Sequence, residues 1–465
     1  MNHVNRALLG ASIAAIAVAG QAHAQAVAPA ADAPSQQPVE VETANQAPDS
    51  NDIVVTANKR EQRLNDVGIT VAVVSGDALQ NRQINSLADL ANATPSLSFT
   101  NSANGTPVYT LRGVGFYETS IGAYPTVSTY VDEAPLAFPV LSSHSAFDLE
   151  RVAILKGPQG TLFGQNATGG AINYIAAKPT SELSAGGSIS YGRFNEVVAD
   201  AFISGPISST LSARLAGRIE RADGWQISNS RPGDRNGKVE NYMGRLLVDF
   251  EPTERLRFKL NINGWKDNSD TQAPQYIALF PQAPAFLTPQ LAASQFSPER
   301  PQAADWTPGV PRRSNRLGQV AFRAEFDATD DITLTSLTSY VDYKQRQGDE
   351  GDGLPLSTLD LVNNEGRIKS FSQEVRLSNN SGSNFRWVVG GNYERSTVNE
   401  LIDLSFPDVS VRGLYGTFGY PFFSLSYSND QKMENYAGFA NIEYDIGQLT
   451  VKLGGRYTKS RIDAS

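Results

Sequence analysis

The chain has 465 residues, no cysteine and a formal net charge of −9. The lack of cysteine excludes a disulfide framework and thiolate metal sites, and the acidic balance argues against nucleic acid, which calls for a basic patch. Of three histidines, only His144 lies beyond the first 24 residues, so a His-based zinc site or a Ser-His-Asp triad would rest on one side chain in a serine-rich stretch, LSSHSAF. No enzyme chemistry, cofactor or metal site is read from this sequence.

In chain order, Arg6 precedes an apolar stretch, Ala7 to Gly20, and Ala22-His23-Ala24 supplies an A-x-A cleavage site. This predicts a secretory signal peptide over 1–24, too short for a membrane-spanning helix, with Gln25 as the mature start. Residues 25–51 are mostly Ala, Pro and Gln without an aromatic residue, which predicts a disordered linker. Residues 52–178 have mixed character. TVAVVSG and VSTYVDEAPL read as strands, and DALQNRQINSLADLANATP reads as helical pieces stopped by Pro95. The prediction is an α+β domain.

The run LKGPQGTLFGQNATGG, Leu155 to Gly170, poses the question of a phosphate cradle. Gly164 and Gly169 have P-loop spacing, but Gly170 and Ala171 stand where lysine and a hydroxyl are required. RGVGFYE likewise offers Gly113 and Gly115 but Glu118 in place of a third glycine. The glycines are therefore read as turn formers that permit positive φ and close backbone approach.

From residue 179 the period becomes two. Leu211, Ala213, Leu215, Gly217 and Ile219 alternate with Ser212, Arg214, Arg218 and Glu220, and LRFKLNING and LTVKLGGRYT repeat the pattern. About eleven such strands are predicted. Beyond a tight first connection near 193–195, short turns (206–209, 252–255, 328–331, 380–384, 446–448) alternate with long loops (222–238, 267–312, 346–366, 396–432). That rule predicts an antiparallel transmembrane β-barrel with apolar residues toward lipid and a charged, polar lumen.

These residues resemble the TonB-dependent outer-membrane receptors. DIVVTANKREQ is similar to the TonB box, here Asp52, Ile53, Val54, Val55, Thr56 and Ala57. YTLRGVG carries the plug motif Arg112-Gly113, and VSTYVDEAPL carries Asp132. DLERVAILKGPQGTLFGQNATGGAINYIAAKP is the most specific match, with Glu150, Arg151, Lys156, Gly157, Pro158, Gly160, Gly164, Gly169 and Gly170 in family positions; Ala153 and Gln165 depart from it. The resemblance implies a TonB box and plug domain over 52–178 and the N-terminal half of a barrel over 179–465. Because the family closes its barrel with about 22 strands and an open edge in lipid leaves backbone groups unpaired at several kcal/mol each, the sequence is read as part of a longer protein, with a truncated product as the alternative.

The resemblance further implies active uptake, in the outer membrane of a Gram-negative bacterium and in contact with its lipids, of a ligand too large for porins. An iron–siderophore complex leads; an oligosaccharide or corrinoid is the alternative. The partner is TonB, driven by an ExbB/ExbD-type proton channel, with Ile53 to Thr56 adding to it as a strand. A passive porin would lack residues 52–178, and a signalling transducer would need a folded domain where 25–51 stand. Phe116, Tyr117, Glu118, Phe138 and His144 are the plug-apex candidates for ligand contact. Tyr276, Phe280, Phe286, Trp306, Tyr415, Phe418, Tyr420, Phe422 and Phe423 are the loop candidates, which could equally pack the loops on one another. Arg112 and Arg151 are expected to latch plug to barrel by pairing with lumen carboxylates such as Glu374.

Overall fold

The computed structural model of the chain describes residues 54–465, apart from 56–58, 61, 64–66, 83, 85–86, 103–104, 165, 281–287, 380–381 and 406–423. The segments read as signal peptide and linker, the box residues Asp52, Ile53, Thr56 and Ala57, and the loop aromatics Phe286 and Tyr415 to Phe423 lie outside the described residues. Val54–Val55 forms a two-residue strand antiparallel to Gln62–Arg63.

The plug elements are β1 (Thr70–Ser75), α1 (Gly76–Asn81), α2 (Leu87–Ala93), β2 (Leu97–Asn101), β3 (Pro107–Leu111), β4 (Val127–Val131), β5 (Ala134–Leu136), β6 (Leu149–Lys156), α3 (Gly160–Phe163) and β7 (Gly170–Ala176). Ser75 ends β1 and caps α1, its hydroxyl accepting the Ala78 N–H at 3.2 Å, as an N-cap serine does. Five strands form one mixed sheet in the order β1-β6-β7-β4-β5, and β2 pairs with β3 separately. In β4 and β7 every residue is buried, the pattern of a sheet covered on both faces. Gly170 stands at φ +148, where a Cβ would lie 2.2 Å from the Leu155 carbonyl oxygen. The glycine run is therefore backbone packing between β6 and β7, with the P-loop side chains absent.

The second body is a single antiparallel sheet: β8 (Ser184–Tyr191), β9 (Val197–Pro206), β10 (Leu211–Ala222), β11 (Val239–Thr253), β12 (Leu256–Asp267), β13 (Asn315–Asp327), β14 (Ile332–Asp349), β15 (Asp360–Asn379), β16 (Phe385–Ser405), β17 (Ser424–Ile446) and β18 (Leu449–Ala464). Each pairs with the next, and the short strand Arg312–Arg313 joins β14 as a twelfth. The sheet is an unclosed barrel wall curved around the plug. Short and long connections alternate as the sequence predicts, but β14 to β17 run further into the predicted loops: only 350–359 separates β14 from β15, and β17 begins at Ser424. Their ladders continue through polar residues because the backbone partners persist above the apolar zone.

Side-chain alternation sorts the two faces. Leu215, Leu246, Ile262, Val320, Tyr340 and Phe371 stand directly opposite one another on successive strands and point outward. The lumen is less uniformly polar than the alternation suggests. Trp265, Leu317, Tyr343, Ile368 and Val398 form an inward row in register and are buried in one core with the plug residues Ile121, Leu136, Phe138 and Leu141. The reason is that the plug, not water, fills the lumen at that height.

Candidate functional site

The site assembles where the plug meets the wall, and one turn organises it. Asp132 and Glu133 join β4 to β5, both at positive φ (48° and 68°), as a two-residue hairpin turn demands. Asp132 is spent on structure: one oxygen accepts the Ala176 N–H (3.0 Å) and the other accepts Asn261 Nδ2 (2.7 Å) from β12. Glu133, its N–H held by Asn173 Oδ1, is aimed into the wall. Its carboxylate meets Arg376 Nη1 at 2.8 Å and Arg323 Nη2 at 3.1 Å. Burial would raise its pKa, but the two guanidiniums and Lys59 hold it down at about 2.

Lys59, just beyond the box-like stretch, enters the same cluster. It is buried and pairs with Glu374 of β15, which also accepts Arg376 Nη1 at 2.8 Å. Desolvation lowers its pKa, while Glu374 opposes that shift. Arg60 pairs with Glu443 of β17 at 3.2 Å. Two consecutive cations thus fasten the segment after Val54–Val55 to the wall near the short-turn ends of β15 and β17. Two cavities flank Glu133: one of about 120 Å³, mostly apolar in surface but bordered by Asp132, Arg151, Lys259 and Arg323, and another of about 60 Å³, lined in part by Lys59, Glu374, Glu394 and Arg456. The smaller one, where charged groups converge, suits bound water.

Further contacts ring the plug. Asp148 accepts a bidentate bond from Arg214 (Nε 3.0 Å, Nη2 2.6 Å), and Arg245 donates to the Phe147 and Asp148 carbonyls at 2.6 and 2.9 Å. Toward the loop side, Glu400 accepts the Ser120 hydroxyl (2.6 Å) and the Ile121 N–H (3.1 Å).

The expected latch is corrected by these contacts. Glu374 does face the lumen, but its partners are Lys59 and Arg376. Arg151 pairs with its own neighbour Glu150, and Arg112 stands at φ 52 in a plug turn with its N–H on the Ser96 carbonyl. The polarity is mixed: Glu133 and Asp148 of the plug meet wall arginines, whereas Lys59 and Arg60 meet wall carboxylates. A carboxylate on a tight turn projects little beyond the plug, and the longer arginines bridge the gap. Asp148, Glu133, Arg60, Arg323 and Arg376 were not singled out from the sequence. Glu133 is the neighbour of the motif Asp132, and the arginines have inward parity on their strands, which were the available signals.

Among the plug motif residues, Lys156 donates to the Pro95 carbonyl (2.9 Å), Gly113, Gly157 and Gly164 adopt positive φ, Gly169 packs against Val114, Pro158 precedes α3, and a Cβ on Gly160 would meet nothing within 4 Å. The ligand candidates divide. Phe116 and Tyr117 are exposed, at 51% and 59%. Glu118 folds back on the Thr119 N–H (2.7 Å), which lowers its pKa. Phe138 is fully buried and stacked on Tyr124 at 5.3 Å, so it is core, not a contact surface. His144 lies 3.4 Å from Asp267 and edge-on to Trp265, which makes it a wall contact. In the loops, Tyr276 packs with Leu291 and Leu354, and Trp306 with Ala273 and Ala304; Phe280 is 86% exposed.

Comparison with known proteins agrees with this architecture. The TonB-dependent receptor plug domain matches residues 63–171, and the TonB dependent receptor-like β-barrel matches residues 252–465. The chain is 31% identical over 222 residues to the pesticin receptor of Yersinia pestis, covering 44% of this chain and 31% of that protein. It is 24% identical over 226 residues to the iron-regulated outer membrane virulence protein of Vibrio cholerae, covering 45% and 33%. The fold is similar to the ferric yersiniabactin uptake receptor FyuA of Yersinia pestis, with a TM-score of 0.64 at 18% identity over 85% of this chain and 61% of that one. The chain spans less than two thirds of each of these proteins.

Proposed function

The chain belongs to the TonB-dependent receptors, and on that premise we propose that it serves energised import of a scarce, bulky ligand across the outer membrane of a Gram-negative bacterium. The ligand class favoured is a ferric siderophore, because the relatives named above include an iron-regulated protein and a ferric yersiniabactin receptor. A corrinoid or oligosaccharide imported by the same cycle is the alternative.

The observation that carries the reading is the clamp at Lys59 and Arg60. Transport by a plugged barrel needs a plug that is held at rest and can be pulled. Val54–Val55, in the box-like stretch, leads directly into two buried cations on wall carboxylates, so a pull on that strand bears first on ion pairs, and the Lys59–Glu374 pair borders a cavity that also holds Glu394 and Arg456. Such pairs are strong while buried and weaken once water enters. TonB would capture the strand by main-chain pairing, and an ExbB/ExbD-type proton channel would energise the pull. No covalent step is required of the chain.

Uptake of radiolabelled ferric siderophores by iron-starved cells carrying the gene tests this reading. Accumulation that an uncoupler abolishes is expected. Accumulation indifferent to the uncoupler would mean passive diffusion. Energised uptake of cobalamin without any ferric siderophore would move the ligand to the alternative.

A further inference from the structure

We propose that the loop between β14 and β15 is a calcium site built from Glu350, Asp352 and Asp360. The stretch DEGDGLPLSTLD brings one oxygen of each carboxylate within 4.8 Å of the others. This is not a solvated acidic patch. Asp360 is 0% exposed and Glu350 5%, and among the described residues no Lys, Arg or His forms a salt bridge with any of the three. Both oxygens of Asp360 are buried without a hydrogen-bond partner. An ionised carboxylate in that state is costly unless a cation faces it.

The hydrogen bonds that do exist order the loop without neutralising it. Glu350 accepts the Thr307 N–H at 2.7 Å and the Gly353 N–H at 3.2 Å. Asp352 accepts the N–H groups of Leu354 (2.8 Å), Thr358 (2.8 Å) and Leu359 (2.9 Å). The Ser357 and Thr307 hydroxyls neighbour Asp360, and Thr307 Oγ1 is itself buried without a bonded partner.

A site offering only oxygen selects a hard divalent cation. Several carboxylate and hydroxyl oxygens on an irregular loop suit calcium, which takes six to eight oxygens at flexible geometry, better than magnesium, which demands a near-ideal octahedron and keeps its water. The cation would also join two loops. Thr307 belongs to the 268–314 loop, and Leu354 packs on Tyr276 and Leu291 of that loop. Calcium would stiffen the crown of the barrel, whatever ligand passes through it.

The test is a titration of the purified full chain with CaCl2, read by tryptophan fluorescence, since Trp306 adjoins Thr307, and by thermal unfolding. A saturable response with a dissociation constant of roughly 0.1–1 mM, the range of extracellular calcium modules, is expected. Asp360→Asn should weaken it about tenfold or more while leaving the calcium-free protein at least as stable as wild type. Terbium luminescence on the wild type, displaced by calcium, gives the same answer without a variant. No saturable response, a response undiminished in Asp360→Asn, or one reproduced by NaCl at matched ionic strength would overturn the proposal.

Discussion

Glu133 stands at positive φ in a two-residue turn and faces two buried guanidiniums, so one side chain couples a strained plug turn to the wall. Its pKa falls from the ordinary 4.5 to about 2. A depressed carboxylate stabilises fully above its unfolded pKa, and that stability is lost as pH drops. The window here is from about 4.5 down to about 2, worth on the order of 3 kcal/mol. Glu133→Gln should lower stability at pH 7 by about 3 kcal/mol, the low end for removing one partner of a buried pair, because Glu374 still faces Arg376. It should also flatten the acid limb of a plot of melting temperature against pH; an unchanged acid limb would show that Glu133 does not hold the plug. The glycines give a second contrast. Gly170→Ala would place a Cβ against the Leu155 carbonyl and should cost at least about 1–3 kcal/mol through overpacking. Gly160→Ala meets nothing and should be neutral, or stabilising by up to about 1 kcal/mol. Denaturant melts of both variants decide this, and equal effects would contradict the packing account.

At the scale of elements, the segment from Val54 to Arg63 is held at both levels, by strand pairing between Val54–Val55 and Gln62–Arg63 and by side chains at Lys59 and Arg60. Lys59→Ala should raise hydrogen exchange at the Val54 and Val55 amides about tenfold or more, the effect of losing roughly 1.4 kcal/mol of local closure. Unchanged exchange would mean that the strand pair alone holds the segment. The elements themselves were largely legible. Period-two alternation located the barrel strands because one face of each must meet lipid, and the loop-length rule set their direction. The clamp was not legible. Lys59 and Arg60 look like solvated residues in a polar stretch, and nothing in the local pattern says that Glu374 and Glu443 converge on them from strands far along the chain. The latch expectation failed for the same reason: parity showed that Glu374 points inward, but which plug residue lies opposite depends on how the plug is seated.

The whole molecule combines two kinds of adhesion. Toward the loop side the plug meets an apolar wall row from Trp265 to Val398, with Glu400 and Asp267 as polar contacts; toward the turn side it meets a cluster of ion pairs beside a cavity lined by charged groups. This gradient is what a plug pulled from the turn side requires, since the first contacts to break are those that water can replace. Composition and alternation foretold a polar lumen and missed the apolar row, because alternation assigns a face without saying what fills it. The central claim is that a partner pulls on the strand at Val54–Val55. The most direct measurement is binding of the purified periplasmic domain of TonB to the full chain, wild type against Val54→Pro, which removes a main-chain donor. Binding to the wild type and a loss of at least about tenfold in the variant is the predicted result. Equal binding to both, or none to either, would contradict it.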